Sequence, residues 1–214
     1  MNLIKRTLGG AIILLVLFAV TFFGKTSLAI GFAIFSLIAI KELTDAFSKI
    51  GFRFNKPLLY FSDLLVMAAS FAKERELFAV SITLSFAIIF GILIFDERRN
   101  LYDILVHIFI LIYVAGLMGS IVKIHDVRFL WMLYLTAWGS DTFAYLIGST
   151  IGKRKIESVR HISPKKTLEG SIGGVIGAVI LNLIYNHYSG LHIDISLVII
   201  FSALGAILLS LIHI

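Results

Sequence analysis

The residue types and spacings that could support chemistry lie between Ser140 and Gly174. The run Trp138-Gly139-Ser140-Asp141-Thr142-Phe143-Ala144-Tyr145-Leu146-Ile147-Gly148 places a carboxylate inside an apolar helix. A central Asp costs about 2.5 to 3.5 kcal/mol on a membrane-insertion scale, so such a residue faces protein, water or an ion rather than lipid. At helical spacing Asp141 shares a face with Ala144, Gly148 and Gly152, a small-residue stripe that admits a second helix or a polar ligand. The plainer alternative is an Asp hydrogen-bonded between helices.

The segment from Gly152 to Gly170 follows, with Lys153, Arg154, Lys155, Arg160, Lys165 and Lys166 against Glu157 and Glu169. Such an excess of cations attracts polyphosphate. Ser163-Pro164 has the form of an N-cap with Pro at the first helical position, a helix start whose free N–H groups favour anions. An ordinary positive-inside connection would look much the same. Gly170, Gly173, Gly174 and Gly177 open the next span, with Gly173 and Gly177 in a G-x-x-x-G relation suited to close helix packing. A metal ion would join the two halves, because a carboxylate at the membrane surface can hold Mg²⁺ while nearby lysines neutralise a nucleotide's phosphates.

The rest of the chain must position these residues in lipid. The 214 residues are 59% hydrophobic and 15% charged, with a mean hydropathy of +0.99. The sequence predicts an all-α, polytopic integral membrane protein, a single transmembrane domain over 1–214 with its motif region at 140–174. About eight transmembrane helices are expected, near 8–24, 27–47, 57–72, 77–95, 100–122, 128–150, 170–188 and 194–212. The third is short and contains Asp63, so a re-entrant or interfacial segment is the other reading. Met1 to Gly24 imitates a signal peptide, but a second span follows at once, which points to a retained helical hairpin. With the N-terminus cytoplasmic, only Lys25, Lys73, Arg75, Lys123 and Arg128 of the 19 Lys and Arg fall outside, and the loop from Lys153 to Glu169 is inside. The net charge of +6 therefore reflects orientation and anionic headgroups, not nucleic acid. With no cysteine, disulfides and thiolate metal sites are excluded.

The order Ser140-Asp141-Thr142, Ala144-Tyr145, Gly148, Gly152-Lys153, then Ile162-Ser163-Pro164-Lys165-Lys166-Thr167, Glu169-Gly170 and Gly173-Gly174 resembles the phosphatidate cytidylyltransferase, or CDP-diacylglycerol synthase, family. The resemblance implies transfer of a cytidylyl group from CTP to phosphatidic acid, releasing pyrophosphate, in a bacterial-type inner membrane. It implies Mg²⁺, with a second cation left open, and Asp141 in the metal and nucleotide site. It further implies catalytic roles for Asp141, Lys165 and Lys166, and substrate binding by Ser140, Ser163, Thr167, Arg160 and Lys153. Homodimerisation is left open.

The family pattern continues past a helix like the last one into a polar segment with further carboxylates, whereas this chain stops at Leu209-Ser210-Leu211-Ile212-His213-Ile214. The expectation is thus of a member cut short, holding part of the metal site and possessing uncertain activity on its own. Glu42 and Asp63 are further acids that could line a site, and His107 is read as hydrogen-bonded between helices. Tyr145 could bond near Asp141, and Asp96 to Arg99 reads as a solvated turn. The rival functions are a small transporter or channel component, with Asp141 handling a proton or cation, and a CTP-dependent lipid kinase. A CDP-alcohol phosphotransferase is disfavoured because its multi-aspartate motif is absent.

Overall fold

The computed structural model describes residues 3–72, 74–156, 163 and 166–212, with side chains from residue 12 to residue 211. Among these the chain forms eight helical segments: α1 (Leu3–Phe22), α2 (Lys25–Ser48), α3 (Lys56–Phe71), α4 (Arg75–Ile94), α5 (Leu101–Val122), α6 (Val127–Thr150), α7 (Leu168–Ser189) and α8 (Ile195–Ile212). The protein is all-α. Four helices, α2, α4, α5 and α7, are long and apolar enough to cross a membrane. Outward rows accord with that composition: Ile30, Ile34 and Ile38, spaced by one turn along α2, are each at least half exposed. Rows of this kind are stable in hydrocarbon and costly in water.

The chain divides into two compact units, Met1–His125 and Asp126–Ile214. In the first, α3 is a regular helix over its whole length. Asn55 caps it by accepting from the Leu58 N–H at 3.2 Å, and Pro57 stands in its first turn. Its shortness follows from its surroundings: Leu59, Asp63, Val66 and Ser70 are all buried, packed between α2 and α4. Asp63 accepts a hydrogen bond from Ser36 of α2 at 2.8 Å, while its other oxygen has no partner among the described residues.

The loops at one end of this unit are tied by backbone-directed bonds. Asn100 and Asp103 form a capping box at the start of α5, and Asp103 also accepts from the Arg53 N–H at 2.9 Å. His107 is fully buried. Its Nε2 accepts from the Asn55 N–H at 2.9 Å, which requires the proton on Nδ1, and Nδ1 donates to the Asp103 carbonyl. The turn at Asp96 is more than solvated: Arg99 pairs with Asp96 and donates to the Arg53 carbonyl, while Arg53 donates to that of Arg98. Within α5, Leu111–Gly116 takes the wider π-helical winding.

The second unit is built on α6 and α7, which run antiparallel along their small residues. Ala178 and Leu181 stand against Gly139, Gly174 against Ser140 and Gly170 against Gly148. Midway along α6, Asn182 donates to Thr136 at 2.8 Å; at the end near Asp126, Asn186 exchanges two bonds with Ile193, and Arg128 reaches the carbonyls of Ser189 and Gly190. Gly190, at φ 68°, ends α7 in the left-handed conformation that glycine adopts without strain.

Candidate active site

The other end of the second unit holds the polar residues singled out in the sequence. The helix α7 begins at Leu168, not at Ser163-Pro164. Thr167 is the cap, its Oγ1 accepting from the Gly170 N–H at 3.2 Å. The reason is local: Thr167 is extended, pairs with Lys155 in an isolated antiparallel bridge, and precedes a residue whose N–H donates to the Arg154 carbonyl at 2.9 Å. Thr167 is thereby held extended up to Leu168. The Ser163 carbonyl accepts from the Lys166 N–H.

Glu169 completes the base of the loop. Its carboxylate accepts from the backbone N–H groups of Lys153 and Arg154 at 3.2 and 3.1 Å. Sequence reasoning assigned this residue no role. The signal was its place in the first turn of a helix, where an acid favours the positive end of the dipole and can reach back to free N–H groups.

A cavity of about 430 Å³ opens between these elements. Ser140, Asp141 and Tyr145 of α6, Ser163, Lys166 and Thr167 of the connection, and Ser171 and Ser210 line it. Ser140 and Thr167 are buried, while Asp141 and Tyr145 stand exposed at the rim. The face of α6 that meets α7 carries Ser140, Ala144 and Gly148. Asp141 lines the cavity together with Ala144 and Gly148 of the small-residue stripe expected for it.

Lys166 spans the site. Its ammonium donates to the Ser210 carbonyl in the last turn of α8, where helix carbonyls lack intrahelical partners. Burial pushes it below the usual lysine range, an effect partly offset by the Asp141 carboxylate. The backbone of Lys153 belongs to the loop base, and its side chain does not line the cavity. Arg160, Pro164 and Lys165 lie outside the described residues. Glu42 is exposed and Asp63 is buried against Ser36, both in the first unit.

Asp141 is the only acid lining the cavity among the described residues, where no group of three or more His, Cys, Asp or Glu gathers. Nucleotide-bound Mg²⁺ typically takes one or two protein carboxylates and completes its shell with phosphate oxygens and water. One carboxylate beside the hydroxyls of Ser140, Ser163 and Thr167 fits a cation that arrives with a polyphosphate.

The profile of the cytidylyltransferase family matches residues 4–214. A phosphatidate cytidylyltransferase of Staphylococcus epidermidis is 27% identical over 202 residues, covering 91% of this chain and 76% of the relative. That of Staphylococcus aureus is 28% identical over 197 residues, 89% and 74% of the two chains. The Haemophilus influenzae protein of the same name is 38% identical over 65 residues, 30% of this chain and 22% of the relative. No solved structure matches the chain.

Proposed function

Because this chain belongs to the cytidylyltransferase family, we propose that it transfers the cytidylyl group of CTP to phosphatidic acid, giving CDP-diacylglycerol and pyrophosphate. The carrying observation is the single cavity that gathers Ser140, Asp141, Ser163, Lys166 and Thr167 from one helix and one connection of a membrane-embedded unit. The setting is a bacterial cell membrane, with the connection from Lys153 to Glu169 on the cytoplasmic side, where CTP is available.

A phosphatidate oxygen attacks the α-phosphorus of CTP. The new P–O bond forms as the bond from the α-phosphorus to the bridging β-oxygen breaks, and pyrophosphate leaves with that electron pair. Both reactants are anions, so the protein must neutralise charge and align the groups. Lys166 faces the cavity and supplies a cation at its junction with α8. The Thr167 hydroxyl accepts from Gly170, leaving its proton to donate to a phosphate oxygen. Ser140 and Ser163 add hydroxyls on either side. Asp141 would hold Mg²⁺, which when bound supplies neutralisation of the polyphosphate. No general base is required, since a phosphate monoester is already largely ionised near neutral pH.

The test is the purified full chain in lipid with CTP, Mg²⁺ and phosphatidate, followed for pyrophosphate and CDP-diacylglycerol. Release of CDP with a phosphorylated lipid would instead identify a kinase. Asp141→Asn is expected to lower turnover by about a hundredfold or more, and unchanged turnover would remove Asp141 from the reaction.

A further inference from the structure

A second cavity, of about 480 Å³, adjoins the first between α7 and α8. Its walls are apolar: Ile156 from the connection, Ile172, Val175 and Ile176 of α7, and Ile207 and Leu211 of α8. Three residues, Lys166, Ser171 and Ser210, line both cavities. The polar and apolar spaces thus meet at the one described cation that faces the phosphate site.

The apolar walls continue away from that junction. On α7, Ile172 and Ile176 begin a one-turn row that runs on through Ile180 and Ile184, each 47 to 53% exposed. On α8, Leu211 and Ile207 belong to a row continued by Leu204 and Ile200, each 45 to 59% exposed. From Ile172 to Ile184 the row is about 18 Å long at 1.5 Å per residue. One leaflet of the hydrocarbon core is about 15 Å deep, half of a bilayer of about 30 Å. A cavity with apolar walls and a cation at one end, continued by exposed apolar rows of this length, matches one acyl chain hanging from an anionic headgroup.

We infer that the α7/α8 groove is the seat of an acyl chain of the phosphatidate substrate, with Lys166 and Ser210 at the point where headgroup gives way to tail. The inference rests on the reaction proposed above and adds where its lipid lies. Phosphatidate held here presents its phosphate to the cavity of Asp141, Ser163 and Thr167 while its chain stays in the membrane. The lipid need not leave the bilayer to react.

The experiment uses the full chain in phosphatidylcholine vesicles containing phosphatidate with a photoreactive group on one acyl chain. After illumination, adducts are mapped by mass spectrometry. Labelling is expected on Ile172 to Ile184 and Ile200 to Leu211, reduced about tenfold by excess unlabelled phosphatidate and unaffected by added phosphatidylcholine. Equal labelling by a photoreactive phosphatidylcholine, or adducts concentrated on other helices, would overturn the groove. Ile176→Trp, at a position 53% exposed, should fill it. The variant is expected to raise KM for long-chain phosphatidate several-fold while KM for a short-chain, water-soluble analogue and for CTP stays constant. A change shared equally by long and short chains counts against the inference. Pyrophosphate release is followed in the same preparation. Release without competable labelling overturns the groove alone; competable labelling without release overturns the reaction and leaves the groove as a phosphatidate seat.

Discussion

A Cβ placed on Gly174 would stand 2.7 Å from the carbonyl oxygen of Ser140. The two helices that carry the site therefore approach each other backbone to backbone, at the residue next to Asp141. Because the obstructing atom is a carbonyl, it cannot rotate away as a side chain would.

Gly174→Ala is accordingly expected to push α6 from α7. Overpacking of this kind costs about 1 to 3 kcal/mol, which thermal unfolding in detergent would register as a lowered midpoint. Turnover should fall further than the loss of folded protein explains, since the displaced segment bears Ser140 and Asp141. A variant with wild-type unfolding and turnover would show that the contact is looser than described.

Glu169 holds the loop by two backbone N–H groups, and Glu169→Gln keeps its shape while removing its charge. The expected result is a several-fold rise in KM for CTP with little change in unfolding temperature, because the loop base is exposed while the helices pack without it. Limited proteolysis should cut the 153–167 connection faster in the variant. Equal cleavage rates would exclude a clasp.

Ser36 gives Asp63 its one hydrogen bond among the described residues, in the buried interior of the first unit. Ser36→Ala leaves both carboxyl oxygens without a protein partner and is expected to destabilise the protein by about 1 to 3 kcal/mol. Adding Asp63→Leu in the same chain should recover much of that loss, since removing both polar partners costs less than removing one. A double-mutant cycle in thermal unfolding reads the difference, and strict additivity would refute the coupling.

Arg128 holds the Asp126 carboxyl below the usual carboxylate range through its side-chain hydrogen bond. A carboxylate whose pKa is lower folded than unfolded contributes stability above its unfolded value, about 3.9. That contribution is lost as pH falls through the folded value. The unfolding midpoint should thus decline below about pH 4, and Asp126→Asn, which preserves a capping side chain, should decline less over that window. Parallel curves for the two proteins would show that the ion pair contributes nothing.

The eight apolar stretches were legible because lipid imposes a length on every segment that crosses it, and their bounds fall within a few residues of the helices. The order of motifs from Ser140 to Gly174 likewise marked out the cavity. Two features escaped. Ser163-Pro164 has the local chemistry of a helix start, but Thr167, bridged to Lys155, is extended and caps a helix that begins at Leu168, a nonlocal restraint that spacing does not reveal. The grip of Glu169 on the N–H groups of Lys153 and Arg154 escaped for the same reason, since those partners lie at the far end of the connection. The small residues at 144 and 148 do share the cavity with Asp141, as offsets of three and seven along a helix imply.

The Thr167 hydroxyl fills the corner that Gly148 and Gly170 leave open, 3.1 and 2.9 Å from where their Cβ atoms would be. The two positions nevertheless differ in what they would tolerate. At 148 the hydroxyl is the one close atom, the next being the Gly170 Cα at 3.6 Å, so a smaller residue at 167 would make room for a methyl. At 170 the Ala144 carbonyl oxygen is nearer still, at 2.8 Å, and no change at 167 removes it. Substitution patterns among functional variants should reflect that asymmetry: bulk gained at 148 accompanied by bulk given up at 167, and glycine retained at 170.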